Sequence, residues 1–515
     1  MTGGGPPAAA PSPAPHAPHA PLPVVDIDLA EPGAFRRPGG GARPGPSGRA
    51  LGLVRLHGRP LGMAEACGGG PEELWQALAD TARRDFPAAE GEHGAAGRAG
   101  PAGSPRPARG PGSGASLRPA RSAVPAVGSG AGEVRRPGRG PGSGRRPARG
   151  PRSGGGPRAA RGTGFGGRRR TGRGARPGED PGAAHRGGTA GPPSISVIVA
   201  TRNRAGMLRD CLDSLLALDY PRYEVIVVDN APADTSTEHL VRREYAGRRD
   251  GPTVRYLREP VPGLARAHNR GLAVADGDIA AFTDDDTLVD PHWLTALAEP
   301  FLADPRTGCV TGLIVPAELD TEAQIALERH GAFGKGYAPL TWSLREPPAD
   351  PLFPFTAGRF GSGANMAFRT ELLHGLGGFD PATGTGTPAR GGDDLLAFFR
   401  VLAHGRSLAY EPTAIVWHRH RRTHEALAAQ AYGYGAGFGA FLAAALAHEP
   451  RMLPALLRRL SGGVRYAIAR NRERAGPAAG PDGTPSSLAR LELRGLLYGP
   501  IGYLRSRLIE RRTRR

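Results

Sequence analysis

Three consecutive aspartates, Asp284, Asp285 and Asp286, follow the apolar run Ile279–Phe282 almost directly, so several carboxylates are held together where a strand ends. Their mutual repulsion is relieved by a divalent cation. Hard carboxylate oxygens suit Mg²⁺ or Mn²⁺, and Mg²⁺ takes one or two protein carboxylates plus substrate phosphates. An acidic turn capping the helix after Pro291 is the alternative reading of the same three residues. Other apolar runs end in the same way, in Thr201–Arg204, in Asp229 and Asn230, and in Glu259. Polar groups gathered at strand ends are the pattern of a nucleotide site.

These residues need a sheet to hold them. Ile195–Ala200, Glu224–Asp229, Val254–Leu257 and Asp278–Phe282 read as short buried strands, and helical spacing runs between them through Met207, Cys211, Leu212, Leu215, Leu216 and Leu218 and again from Leu264 to Ala275. Strand and helix in alternation predict an α/β domain with a parallel sheet. In such sheets ligands bind beyond the carboxyl ends of the strands. Upstream, Pro21–Leu29 alternates, Ala50–Ala64 reads as two strands turning at His57–Pro60, and Pro71 opens a helix through Leu74, Trp75, Leu78 and Ala79. This small α+β module carries no catalytic constellation, so packing or partner contact is its expected role.

The chain has 515 residues, with 79 Gly, 53 Pro and a formal net charge of +19. Such a charge suggests nucleic acid or membrane as partner. Its location argues otherwise: residues 91–190 hold 20 Arg and four acids, or +16 of the total, with one aromatic, Phe165, and almost no Leu or Ile. They cannot bury enough apolar area to offset chain entropy and are expected to be disordered. A ten-residue pattern recurs there, beginning at Pro105, Arg135 and Arg145. Stacking aromatics are missing, so an inert or weakly electrostatic linker is expected and no specific nucleic acid. The three cysteines, Cys67, Cys211 and Cys309, form no C-x-x-C pair. Neither a signal peptide nor an uninterrupted apolar span of about eighteen residues is evident. A cytoplasmic protein, possible also at the inner membrane face, is expected.

Val197–Arg204, Val227–Asn230, Gly263–Gly271 and Thr283–Asp286, in this order and spacing, resemble a family 2 glycosyltransferase of the GT-A fold. The resemblance covers about Ser194 to Thr423. It implies a nucleotide-diphospho-sugar transferase domain with a Rossmann-like mixed sheet, an inverting hexosyltransferase-type transfer from a nucleotide-sugar donor to an acceptor hydroxyl, and Mn²⁺ or Mg²⁺ on the diphosphate. Glycoconjugate or cell-surface polysaccharide synthesis, with a saccharide or lipid-linked acceptor, is the corresponding role. By position, Thr201, Arg204, Asp229, Asn230, Arg266 and Asn269 would line the donor pocket, Asp284 and Asp286 would take the outer positions of the D-x-D motif, and Asp285 the variable middle. Gly361–Arg369 matches the segment between donor and acceptor pockets, where Ser362, Gly363 and Asn365 could meet the donor sugar; the start of a plain strand is the alternative. Gly391–Arg400 resembles the glycine-acid-acid motif, with Asp393 where Glu is usual and Asp394 at the general-base position. That exchange leaves open which of the two acts, and an ordinary helix cap is the other reading. His418, at the end of Ile415–His418, would complete the metal site, although it opens the basic run His418–Arg422. The processive Q-x-x-R-W signature is absent, which favours single-sugar transfer.

The expected organisation is a disordered start (1–20), the small module (21–88), the linker (89–193), the catalytic domain (194–424) and a helical C-terminal region (425–515). Ala426–Ala447 is long enough to span a bilayer but interrupted by glycines, which favours packing on the catalytic domain. Leu488–Arg515 mixes Leu, Ile and Tyr with arginine and could lie on anionic lipid. A degenerate nucleotide binder with an Arg/Gly nucleic-acid segment is the competing reading; it would lack the carboxylates that this chain keeps. Nucleotidyl transfer would need a Gly-rich phosphate loop and an early lysine, neither of which follows the first strand.

Overall fold

The computed structural model describes residues 20–87, 191–329, 333–459 and 487–513. The expected disordered start and nearly all of the linker lie outside the described residues. Toward the N-terminus, β1 (Val24–Asp28), β2 (Phe35–Arg36), β3 (Ala42–Arg43), β4 (Gly48–Leu56) and β5 (Arg59–Gly68) form a sheet in the order β3-β2-β1-β4-β5. The β4–β5 hairpin turns at His57 and Gly58, both at positive φ (51° and 80°), as a two-residue turn matched to strand twist requires. Helix α1 (Pro71–Asp85) covers this sheet with Leu74, Trp75, Leu78, Ala79 and Ala82. Its first turn is acidic and its last basic, which complements the helix dipole.

The module is packed on the larger domain. Leu22, Val24 and Leu53 share a core with Leu313, Val315, Tyr410, Ile415 and Trp417. Arg55 donates to both oxygens of Asp26, at 2.8 and 2.6 Å, and its remaining nitrogen lies 2.8 Å from Asp290; all three residues are buried. Burial pushes the Asp26 carboxyl up to about 6 against the pull of Arg55. Removing one partner of a buried ion cluster strands the others. Arg55→Met is therefore expected to lower the free energy of unfolding by about 3–5 kcal/mol in a denaturant titration; an unchanged midpoint would show that the cluster contributes nothing.

The larger sheet runs β10-β14-β11-β13-β9-β6-β7-β8, with β12 (Leu340–Trp342) paired to β14. Its half of parallel strands is β6 (Ile195–Thr201), β7 (Tyr223–Asn230), β8 (Thr253–Glu259) and β9 (Ile279–Asp284). Between them lie α2 (Ala205–Leu216), α3 (Ser236–Leu240) and α4 (Leu264–Leu272). The remainder comprises β10 (Thr287–Val289), α5 (Trp293–Ala303), β11 (Thr307–Pro316), α6 (Glu322–Arg329), β13 (Met366–Arg369), α7 (Thr370–Gly375), α8 (Asp393–Ala403) and β14 (Ser407–His418). Here β13 runs antiparallel to both β9 and β11, so the sheet is mixed. Every residue of β6 is buried, which explains its unbroken apolar texture. From β6 the chain goes first to β7 on one side and later to β9 on the other, and the register sets Thr201 beside Asp229 and Ala200 beside Asp284. Such a switch point opens a crevice at the carboxyl ends.

Two long helices, α9 (His424–His448) and α10 (Ser487–Thr513), dominate the described C-terminal region, with a 3-10 turn at Pro450–Met452 after the first. Of the glycines that interrupt α9, Gly435 and Gly439 form its seam with α10, and Gly437 packs on Gly391 and Gly392. A Cβ on Gly435 or Gly439 would overlap the backbone of Glu492 or Leu496, and one on Gly495 or Gly499 would overlap that of Tyr432 or Ala436. No helix among the described residues is long and apolar enough to cross a membrane. Cys67 is exposed, whereas Cys211 and Cys309 are buried and burial pushes both thiols up. A thiol reagent is thus expected to titrate one equivalent in the native protein and three after denaturation.

Candidate functional site

The acidic turn lies between β9 and β10, where the short β9–β10 connection leaves its carboxylates at the crevice. Asp285 accepts from Thr201 Oγ1 at 2.7 Å and from Arg204 Nη1 at 2.9 Å. The same Arg204 nitrogen donates to Asp286 at 3.0 Å, and Arg421 approaches that carboxylate at 3.4 Å. Thr287 pairs in register with His418, and this pairing brings the end of β14 to the turn. His418 Nε2 stands 3.4 Å from Asp286 Oδ1. Asp284, Asp286 and His418 each present one ligand atom, all within 4.8 Å of one another.

The electrostatics of this cluster are those of a cation site. Burial, followed by the charges of Asp286, Asp285 and Asp393, pushes Asp284 up to about 8. Burial also lowers His418 to about 4, so its imidazole is neutral with a lone pair to give. His420 lies behind it, 3.3 Å between the Nδ1 atoms, and its Nε2 meets Glu328 at 2.8 Å. A ligating histidine with its other nitrogen held is the usual arrangement around a metal. Two carboxylates and a neutral imidazole converging on one point fit a divalent cation. The basic run is otherwise ion-paired: Arg419 meets Asp210 and Glu318, and Arg422 meets Glu318 and Asp320.

A cavity of about 260 Å³ opens above the turn, lined among others by Thr201, Arg204, Asn230, Leu264, Gly386 and Arg421. Asp229, next to Asn230 at the end of β7 and paired in register with Thr201, is fully buried. One of its oxygens accepts from Tyr256 at 3.0 Å, the other has no partner in the structure, and burial raises its pKa. Other expected donor contacts are spent internally. Asn230 bonds Val261 and the amide of Gly263. Both polar ends of Asn269 bond the backbone of Phe379. Asn365 donates to the carbonyls of Leu313 and Ala414 and accepts from Trp293 Nε1, which leaves nothing for a sugar. Arg266 is ion-paired with Glu510 of α10. Asn269 and Asn365 are struts below the crevice rather than groups facing it.

Gly363 donates its amide to Asp394 Oδ2 at 2.9 Å. The glycine thus aims a carboxylate, and a Cβ there would come into ordinary contact with Asp394. Asp394 and Asp393 begin α8 after Gly392, whose φ of 89° favours glycine. Burial and the Asp393 charge push Asp394 up to about 6. Asp393 points inward: it is 4% exposed, and its Oδ2 lies 3.6 Å from His268 Nδ1. Asp394 is half-buried.

Sequence reasoning did not select Tyr434, Phe333, His420 or Arg421 as site residues. Phe333 packs on His418, with ring centroids 5.1 Å apart, and edge-on to Tyr434 at 6.2 Å. Tyr434 was legible only as part of an apolar helix, and it is the large side chain of that helix left exposed, at 43%.

Residues 196–377 match the family model Glycosyl transferase family 2. The chain is 29% identical over 287 residues to the pre-mycofactocin glycosyltransferase of Mycobacterium tuberculosis, covering 55% of this chain and 54% of that one. It is 30% identical over 118 residues to the poly-beta-1,6-N-acetyl-D-glucosamine synthase of Staphylococcus epidermidis, covering 23% and 28%. The chain thus spans about half or less of the length of these relatives. Among solved structures it is similar to the mannosyltransferase PcManGT of Pyrobaculum calidifontis, in complex with GDP-Man and Mn²⁺, at 23% identity and a TM-score of 0.38 over 61% of this chain and 87% of that one.

Proposed function

We propose, from the premise that residues 196–377 form a glycosyl transferase family 2 domain, that the protein transfers a sugar from a nucleotide-diphosphate donor to an acceptor hydroxyl with inversion. The observation that carries this reading is the convergence of Asp284, Asp286 and His418 at the β6 switch point, near enough to the Asp393–Asp394 pair for the Asp393 charge to act on Asp284.

In this reading the nucleotide lies across the carboxyl ends of β6 and β7. The unpartnered oxygen of Asp229 takes a base or ribose donor group, since a buried acceptor without a partner is costly to maintain. Thr201 and Arg204 hold Asp285 in place, and Arg204 together with Arg421 offers positive charge at the diphosphate. A divalent cation held by Asp284, Asp286 and His418 would supply further positive charge to the leaving group. The imidazole favours Mn²⁺ over Mg²⁺. Asp394, oriented by the Gly363 amide, takes the proton of the acceptor hydroxyl while that oxygen bonds the sugar and the bond from sugar to diphosphate breaks. Attack from the face opposite the leaving group inverts the anomeric centre. Asp393 stays inside against His268 and serves to position its neighbour.

The test is a donor screen in which the full chain, with Mn²⁺ or Mg²⁺, meets a panel of sugar nucleotides while hydrolysis and melting temperature are followed. One donor is expected to raise the melting temperature and be slowly hydrolysed only when the cation is present. No response to any donor would remove the assignment.

A further inference from the structure

We propose that α10 is a membrane-docking helix whose outer apolar stripe lies on an anionic lipid surface. The stripe consists of Leu493, Leu497, Ile501, Leu504 and Leu508, each between 56% and 71% exposed. Their spacing of four, four, three and four residues puts them on one face of the helix. The opposite face is fully used. Gly495 and Gly499 meet α9, Gly502 meets the carbonyl of Pro388, Ser506 accepts from the Ala389 amide at 3.2 Å, and Tyr503 reaches Asp380 at 3.0 Å. The helix is thus held rigidly from behind with its leucines turned outward, an arrangement costly in water without a partner surface.

Charge selects the partner. Arg494, Arg505, Arg511 and Arg512 are exposed beside the stripe. The acids of the helix lie on the other side: Glu510 is taken by Arg266, and the Glu492 backbone meets Gly435. An apolar face rimmed with arginine and free of acid complements a layer of anionic headgroups, into which such a helix sinks without crossing. A second copy of the chain fits less well, because a symmetric pairing would set arginine against arginine. The loop beneath α10 gives this surface a use. Its residues Thr385 and Gly386 line the cavity, and Pro388 and Ala389 pack on the helix. Docking would hold the crevice close to the lipid plane, where a lipid-linked acceptor would arrive; this last step rests on the function proposed above, whereas the docking does not.

The experiment is co-sedimentation of the full chain with vesicles of phosphatidylglycerol and phosphatidylcholine in equal parts, against phosphatidylcholine alone. The wild type is expected to pellet with the mixed vesicles and to keep a bound fraction in high salt. Leu497→Glu combined with Leu504→Glu alters exposed positions only and is expected to fold, with an unchanged melting temperature, and to lose roughly tenfold or more in partitioning and all of the salt-resistant fraction. Arg505→Glu and Arg512→Glu are each expected to lower partitioning about fivefold or more. Equal pelleting of wild type and leucine variant would overturn the proposal and assign lipid binding to the arginine-rich segment 89–193. A wild type that ignores vesicles but dimerises through the same leucines would overturn it in favour of a second copy. Donor hydrolysis without vesicles is read in parallel: its absence in every protein would refute the function and leave the sedimentation result intact.

Discussion

Asp286→Ala is expected to abolish cation-dependent stabilisation and to lower sugar transfer by roughly three orders of magnitude, the equivalent of several kcal/mol of charge stabilisation at the leaving group. Asp286 touches His418, Arg204 and Arg421 and presents one of the three converging ligand atoms. In the wild type, Mn²⁺ at about a hundred times its dissociation constant should add about 2.7 kcal/mol to unfolding. The variant should show none of it. Asp284 supplies the complementary measurement. Its folded pKa of about 8 lies above the ordinary 3.8, so the fold prefers the protonated acid. The native state then holds a proton that the unfolded chain has released, and the cation-free protein is expected to grow more stable as pH falls from about 8 toward 4. Asp284→Asn should erase that slope and cation binding together. If cation-dependent stabilisation survives in Asp286→Ala, the metal assignment is wrong.

The second large effect belongs to Asp394. Asp394→Asn keeps the shape of the group and the Gly363 hydrogen-bond acceptor while removing the basic oxygen, and a loss of about 10²–10⁴ in transfer is expected. Donor binding, read as a melting shift with nucleotide and cation, should persist. The wild-type rate should decline as pH falls through about 6, because the half-buried acid must be ionised to accept a proton. Asp393→Asn should cost less and shift that limb, since it removes the neighbouring charge that raises Asp394. Transfer retained by Asp394→Asn would move the base elsewhere.

The strands that carry the candidate site were legible because β6, β7 and β9 are apolar runs ending in polar groups, a pattern with few other uses. The two-residue strands β2 and β3 left no such trace, because their pairing depends on neighbours rather than on periodicity. Residue type also predicted too many ligands. Asn269 and Asn365 sit at family positions, but an amide has two polar ends, and whether they face a crevice or bind backbone depends on segments about a hundred and about fifty residues away. Gly435 and Gly439 read as interruptions of an apolar span and proved to be a helix seam, because their partners belong to a helix after a long intervening stretch. His418 could be weighed but not placed, since only the β10–β14 register brings it to Asp286.

The ion pair between Arg266 and Glu510 joins residues 244 positions apart. The Arg266 nitrogen that bonds Glu510 cannot hold a second anion at the same time, so an anion that recruited it would have to displace that carboxylate. Thermodynamic reciprocity makes such an exchange run both ways: whatever draws Glu510 aside would tighten the anion by the factor with which the anion weakens the ion pair. Through a single arginine, α10 is tied to the helix that follows β8.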